Sequence, residues 1–380
     1  MPEPTPESEA PEPAYFDTPG RRLALAEATL GRRVENGTSV WHLRVPRSGS
    51  PPLELDAAGG STPPPQLTRL LGAFLREEQL EPVQELPAGE ADPNGSGPVS
   101  PDAAARLRAM LVHQYAEILR HDPGVRLAQE PEDLHQMRVA VRRTRAILRA
   151  ARPAVDRQWS EPLRAELKWL GGVLGPRRDL DVLLDRLNGQ IAELEESERS
   201  AAAPLVTSLE GERDRAQTEV AAALASERYS GLLDTLEEGS RSLELTDDLS
   251  LGELAAREFK RLQKRMKALD ADASDEELHR ARILGKRARY AAELAEPEAG
   301  KKARRFVARA KAFQDVLGSH QDAIVAEARL RELLRETGAT GAAFAVGRLV
   351  ERERLRRREA RRALPKTWKK LERRGLNAWS

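Results

Sequence analysis

A basic, histidine-bearing pattern occurs twice in this chain, and that repeat constrains the fold more than any other feature. The first copy runs Leu134-His135-Gln136-Met137-Arg138-Val139 and continues through Arg142, Arg143 and Arg145; the second runs Leu278-His279-Arg280-Ala281-Arg282-Ile283 and continues through Lys286, Arg287 and Arg289. The copies lie 144 residues apart. A second pair of segments repeats at offset 143: Lys168, Val173-Leu174-Gly175 and Asp179 match Lys311, Val316-Leu317-Gly318 and Asp322, with His320 inside the second segment. Two motifs repeating in register mean an internal duplication. Two copies of a cationic pattern suggest two half-sites facing one long anionic ligand.

In each copy the His and the basic residues fall at i, i+3, i+7 and i+10, which is one face of an α-helix. In the first copy these are His135, Arg138, Arg142 and Arg145, continued by Arg149. The apolar Leu134, Met137, Val141 and Leu148 lie beside this stripe rather than opposite it, so the stripe is expected at or inside a helix–helix groove. A buried row of like charges is costly unless paired or solvated. Its partner must be acidic side chains, a water-filled cavity or a polyanion. Arg meets phosphate oxygens bidentately, and His adds a further bond. The plain alternatives are a solvated helix face and, for each His, a ring bonded to a backbone carbonyl; the duplication favours the groove. Asp179 and Asp322 are expected in the first turn of a following helix, where a carboxylate is favoured. The sharper alternative makes each one an acceptor that orients an Arg or His of the stripe.

With 380 residues the chain has room for two or three domains. It contains no Cys, which excludes disulfides and thiolate metal sites. No apolar run approaches the ~20 residues of a membrane span. The acidic, Pro-rich start lacks the basic–apolar pattern of a signal peptide, so the cytoplasm is the expected location. The net charge of +1 hides an asymmetry: residues 1–100 carry 8 basic and 15 acidic side chains, the remainder 54 and 46. Aromatic residues make up 4% and, Tyr290 apart, few fall near the stripes. Binders of single-stranded nucleic acid stack bases on aromatic rings, so a phosphate-rich ligand without bases fits better than nucleic acid.

Residues 1–14 read as a disordered tail. Residues 15–86 hold β-type runs such as Thr38–Val45 and then a helix at 66–80; residues 87–99 are a linker rich in Gly, Pro, Asn and Ser. From Ser100-Pro101, a helix start, the pattern is helical. Ser250 with Glu253 and Ser274 with Glu277 have capping-box spacing. Helices are expected at 101–120, 132–151, 160–174, 178–196, 200–225, 227–241, 250–269, 275–295, 300–317, 320–336 and 341–373, with Pro365 a bend point in the last. The expected fold is an all-α main domain of two pseudo-twofold-related antiparallel bundles, joined by the helices at 200–241 and preceded by a small α+β segment.

These motifs, with Leu317-Gly318-x-His320-x-Asp322, make residues 100–374 resemble the CHAD domain, the conserved histidine α-helical domain. The resemblance implies two four-helix units around a basic central cavity. It also implies binding of inorganic polyphosphate and association with polyphosphate granules, without catalysis, metal or cofactor. On that reading His135, Arg138, Arg142, Arg143, Arg145 and Lys168 hold phosphate from the first unit. His279, Arg282, Lys286, Arg287, Arg289, Lys311 and His320 do so from the second. Residues 15–86 are similar to a fragment of a CYTH domain, the triphosphate tunnel fold, through Tyr15–Gly20, Leu30-x-Arg32-Arg33 and Trp41–Pro46. No Glu-x-Glu-x-Lys strand precedes Tyr15, and no further tunnel strands follow Leu86. Without those carboxylates a metal-dependent triphosphatase lacks its metal ligands, so an inactive remnant without a closed barrel is expected.

Two rival readings remain. A metal-dependent phosphohydrolase could use His121-Asp122, placed at a helix end before Pro123-Gly124. A nucleic-acid binder could use the cationic run Arg352–Arg374, although Glu351, Glu353, Glu359 and Glu372 interleave there as on a mixed-charge solvated helix.

Overall fold

The computed structural model describes residues 14–35, 38–83, 103–245, 250–270, 272–337 and 340–379. The expected linker, most of the expected tail and the Ser100-Pro101 helix start lie outside these residues. Five strands form an antiparallel sheet: β1 (Ala14–Asp17), β2 (Thr29–Glu35), β3 (Thr38–Arg47), β4 (Ser50–Gly59) and β5 (Glu81–Val83), in the order β4-β3-β2-β1-β5. The alternation along β3 sets its faces. Trp41, Leu43 and Val45 are fully buried, whereas His42 and Arg44 point outward to Asp56 (2.6 Å) and Glu54 (3.2 Å). The sheet is open, with β4 and β5 at its edges. Helices α1 (Arg22–Leu25), α2 (Pro65–Leu70) and α3 (Gly72–Leu75) cover its apolar face. The single helix expected at 66–80 is thus two short pieces.

The remaining helices are α4 (Ala103–Leu127), α5 (Pro131–Ala151), α6 (Arg157–Ala192), α7 (Glu196–Leu224), α8 (Glu227–Ser242), α9 (Leu251–Lys267), α10 (Asp275–Leu294), α11 (Glu296–Thr337) and α12 (Ala343–Trp379). Several expected breaks are absent. The helices read at 160–174 and 178–196 are one, and so are those at 300–317 and 320–336. Pro176, Pro123 and Pro365 all sit inside helices. An interior Pro costs about 3 kcal/mol or more. On α6 that cost is offset by one continuous buried face, Leu163, Leu167, Leu170 and Leu174 before the Pro and Leu184 and Leu187 after it. The real interruption in α11 is Gly300, whose φ of 56° and ψ of −134° suit glycine alone. The capping box at Ser274 is complete; at Ser250 only the Glu253 N–H to Ser250 half is made.

The duplication reappears as a repeat in burial. At offset 144, Leu107, Leu111, Tyr115 and Ile118 of α4 correspond to Leu251, Ala255, Phe259 and Leu262 of α9, all buried. At offset 143, Leu163, Leu167, Leu170 and Leu174 of α6 correspond to Phe306, Ala310, Phe313 and Leu317 of α11, again all buried. The two units are therefore α4–α7 and α9–α12. The joining role expected for 200–241 falls to α7 in part: it packs along α6 as the fourth helix of the first unit and also meets α11 and α12 of the second, whereas α8 is an added brace on α4 and α6.

Three apolar cores result. One holds the first unit and the N-terminal sheet together, so Trp41 and Phe74 share a core with Leu107 and Ile118. Another fills the second unit around Phe306 and Phe313. The third forms where the long helices overrun their units, with Leu184 of α6 and Leu205 of α7 meeting Leu330 of α11 and Leu349 of α12.

Candidate anion-binding cavity

Where α5 packs against α10, the units frame a half-open cavity of about 890 Å³. Both copies of the repeat line it, through Arg142, Arg145 and Arg149 of α5 and Lys286 and Arg287 of α10. Lys168 and Arg164 of α6 complete one wall, and Arg257 and Arg261 of α9 the other. Two carboxylates face them. Glu161 accepts from Arg152 and Arg164, each at 2.7 Å, and Glu258 accepts from Arg261 at 2.5 Å. Tyr290 joins the halves: its hydroxyl accepts from Arg142 Nε at 2.5 Å, and the Arg289 guanidinium lies 4.8 Å from its ring centroid. Lys286 is walled in beside Arg282, Arg142 and Arg289. Burial first, then those like charges, bring its ammonium down to about 8, against the pull of Asp322. Burial also holds Arg145 and Arg149 below the usual guanidinium range, with Arg164 and Arg287 adding repulsion.

The other sequence candidates stand elsewhere. Arg138 is anchored by the Leu174 carbonyl (3.1 Å), the Gly175 carbonyl (2.5 Å) and Asp179 (3.4 Å). Arg178 Nε donates to His135 Nδ1 at 3.3 Å, and burial followed by Arg178 holds that ring below its usual range. His279 Nδ1 pairs with Gln321 Oε1 at 3.0 Å. Arg282 comes close to Lys286 and to Asp179. Arg143 and Lys311 are exposed and line no part of this cavity. His320 is buried against Asp275 (3.3 Å), which also takes Arg357 and Arg361. It serves the packing of α12, which corrects its expected place beside the other phosphate ligands.

The capping position expected for Asp179 and Asp322 is also corrected, because α6 and α11 run through both residues. Asp179 instead pairs with Arg138, as the sharper alternative held. The protein atoms around Asp179, together with Asp322 of the other unit, push its carboxyl up, although the side chain stays 74% exposed to solvent.

The residues of the two rival readings are placed differently. His121 and Asp122 lie inside α4, fully buried. His121 meets Asp133 at 2.9 Å; Asp122 accepts from Arg126 (2.5 Å) and from the Tyr229 hydroxyl (2.9 Å). Among the described residues no group of three His, Cys, Asp or Glu is placed to hold a metal ion, and no helix is long and apolar enough to cross a membrane. Part of the run Arg352–Arg374 is engaged internally, Arg352 on Glu193, Arg354 on Glu327, Arg357 and Arg361 on Asp275, whereas Arg362, Lys366, Lys369, Lys370 and Arg373 are exposed on α12. Sequence reasoning missed Arg164, Arg257 and Arg261. The i, i+4 spacing of Arg257 and Arg261 on α9 was the available signal, hidden in a chain where Arg abounds.

A family model described as the CHAD domain matches residues 109–331. Two uncharacterized proteins from two strains of Mycobacterium tuberculosis are each 25% identical to the chain over 473 residues, covering 94% of it and 89% of the relative. That alignment is longer than the 380-residue chain, so the relatives carry segments absent here. PptA from Streptomyces chartreusis is similar in structure with a TM-score of 0.58 and 26% identity, covering 70% of this chain and 98% of that one. The CHAD domain from the plant Ricinus communis is similar with a TM-score of 0.55 and 28% identity, covering 69% and 92%.

Proposed function

This chain belongs to the CHAD domain family, and from that premise we propose that it binds inorganic polyphosphate, without turning it over, in the cavity between its two helical units. The observation that carries this reading is the composition of the cavity wall: ten cationic side chains against two carboxylates, drawn from both copies of the repeat. Such an excess of like charge calls for a counter-charge that the protein does not supply. A polyphosphate chain offers one negative charge per phosphate in a thin, base-free strand, and guanidiniums match its oxygens in pairs. Tyr290 alone among the lining residues is aromatic, which gives bases little to stack on. Reach across both half-sites makes long chains favoured over short ones, since the second set of contacts is made at high effective concentration. The site holds and orients; neither the open N-terminal sheet nor the cavity is assigned a chemical step. Association with polyphosphate granules follows from the same affinity.

The test is titration of the full chain with polyphosphates of several lengths, with RNA as competitor. Long polyphosphate should bind most tightly and RNA should displace it poorly. Replacing Arg142 and Lys286 together by Ala should weaken long-chain binding at least about tenfold and flatten its salt dependence, because fewer counterions are released. Unchanged affinity in that well-folded variant would place the ligand elsewhere.

A further inference from the structure

The duplication maps the cavity onto a second, pseudo-equivalent face, and the two faces have diverged. Offset 144, the register in which α4 and α9 share their burial, carries Arg257, Glu258 and Arg261 of α9 onto His113, Gln114 and Glu117 of α4. Glu258 and Gln114 are both buried, as that register requires. Where the cavity face has two guanidiniums, its mate has an imidazole and a carboxylate. Burial first, then Arg120 and Arg143, hold His113 below its usual range. Glu117 accepts from Ser48 Oγ at 2.9 Å and pairs with Arg120. Arg120 in turn donates to the Ala26 carbonyl (3.2 Å) and to Glu27 (3.1 Å). Ser48 and Gly49 form the β3–β4 turn, Gly49 at φ 83°, and Arg47 of the same hairpin reaches Asp133 at 3.0 Å. The α4 surface equivalent to an open cationic wall is therefore the seat of the N-terminal sheet.

We propose that the chain takes its polyanion from one side only, through the wall built by α6 and α9, and that the N-terminal sheet occupies the pseudo-equivalent entry. This inference rests on the polyphosphate reading above. It gives the sheet a role that needs none of the missing tunnel carboxylates.

Two double variants of the full chain separate the faces at equal change in net charge. Arg257→Ala with Arg261→Ala strips the open wall. Arg143→Ala with Lys311→Ala strips the mate face, where these residues are the equivalents of Arg287 and Lys168. All four side chains are exposed on helices; Arg261 also pairs with the buried Glu258, so thermal melts check that each variant stays folded. With long-chain polyphosphate at fixed salt, the first variant should lose about tenfold in affinity and shed salt dependence, and the second less than about twofold. Equal losses, or a larger loss on the mate face, would overturn one-sided entry while leaving polyphosphate binding intact. Failure of the unaltered chain to bind long polyphosphate would overturn both readings.

Discussion

Lys286 differs from every guanidinium around it, because it alone can give up its charge in an accessible pH range. Burial, Arg282, Arg142 and Arg289 together lower its ammonium to about 8. A phosphate beside it reverses those terms: the anion screens the neighbouring cations and hydrogen-bonds the charged form. Binding must then take up a proton wherever the free protein has lost it. The sign follows by linkage. Below about pH 8 the free ammonium is already charged and affinity is flat; above it each bound chain draws a proton from solution and affinity falls. With the bound ammonium near its ordinary value, affinity should drop about tenfold between pH 7 and pH 9. Lys286→Arg should remove that slope, since a guanidinium stays charged throughout. Calorimetry in buffers of different ionisation enthalpy would count the proton directly. A slope that persists in the Arg variant would assign the titration to another group.

Among the elements, α12 shows how small residues set helix contacts. A Cβ placed on Gly375 would stand 2.2 Å from the Phe259 ring of α9, far inside contact distance. Gly375→Ala should therefore destabilise by about 1–3 kcal/mol through overpacking, with the second unit melting first. An unchanged melting temperature would mean that Phe259 swings aside. The same scale shows what sequence reasoning could reach. The repeat at 143–144 residues was fully legible, because a helix face leaves its period in the sequence, and burial at Leu163/Phe306 and Leu174/Leu317 follows it. The breaks at Pro176 and at Gly318-Ser319 were read too strongly. Local propensity lost there to packing along helices that serve two cores at once, which no local window displays. The joint contribution of Arg142, Lys168 and Lys286 to one cavity was legible for the same reason as the repeat. The burial of His320 beside Asp275 was not, because a histidine in a cationic motif carries no local sign of whether its ring faces a ligand or a neighbouring helix; its equivalent Arg177 is buried too.

At the scale of the whole molecule, the N-terminal sheet is fastened to the helices by charge as well as by apolar contact. Glu237 of α8 receives Arg22 Nε at 2.9 Å, Arg76 at 2.6 Å and the Tyr115 hydroxyl at 3.0 Å. A second clasp joins Ser48 and Arg120 to Glu117, with His121 Nε2 3.7 Å from the oxygen that Ser48 reaches. Burial opposes ionisation of both carboxyls. Arg76 and Arg22 still hold Glu237 below its usual range, and His121, Arg120 and Ser48 bring Glu117 down to about 2. A carboxyl lowered on folding contributes stability above its unfolded value near 4.5 and loses it as pH falls through the folded one. His121 has the opposite sign: raised by Asp133 and Glu117 despite burial, it stabilises below about 6.5 and gives that up as pH rises. The joint should be firmest between these limits and should loosen first on the acid side, as pH falls from about 4.5 toward 2. Trp41 reports on it, being fully buried in the core that the sheet shares with α4. Its fluorescence should change on acidification before the helical signal does, and Glu237→Gln should move that transition to higher pH. Removing the carboxylate outright, as in Glu237→Ala, leaves Arg22 to Glu78 and the Phe74 carbonyl and Arg76 to Asp234, and should cost about 1–3 kcal/mol through the bonds lost. Coincident loss of tryptophan and helical signals, in both the unaltered chain and the Gln variant, would show instead that sheet and helices unfold as one unit and that this joint is not the weak point.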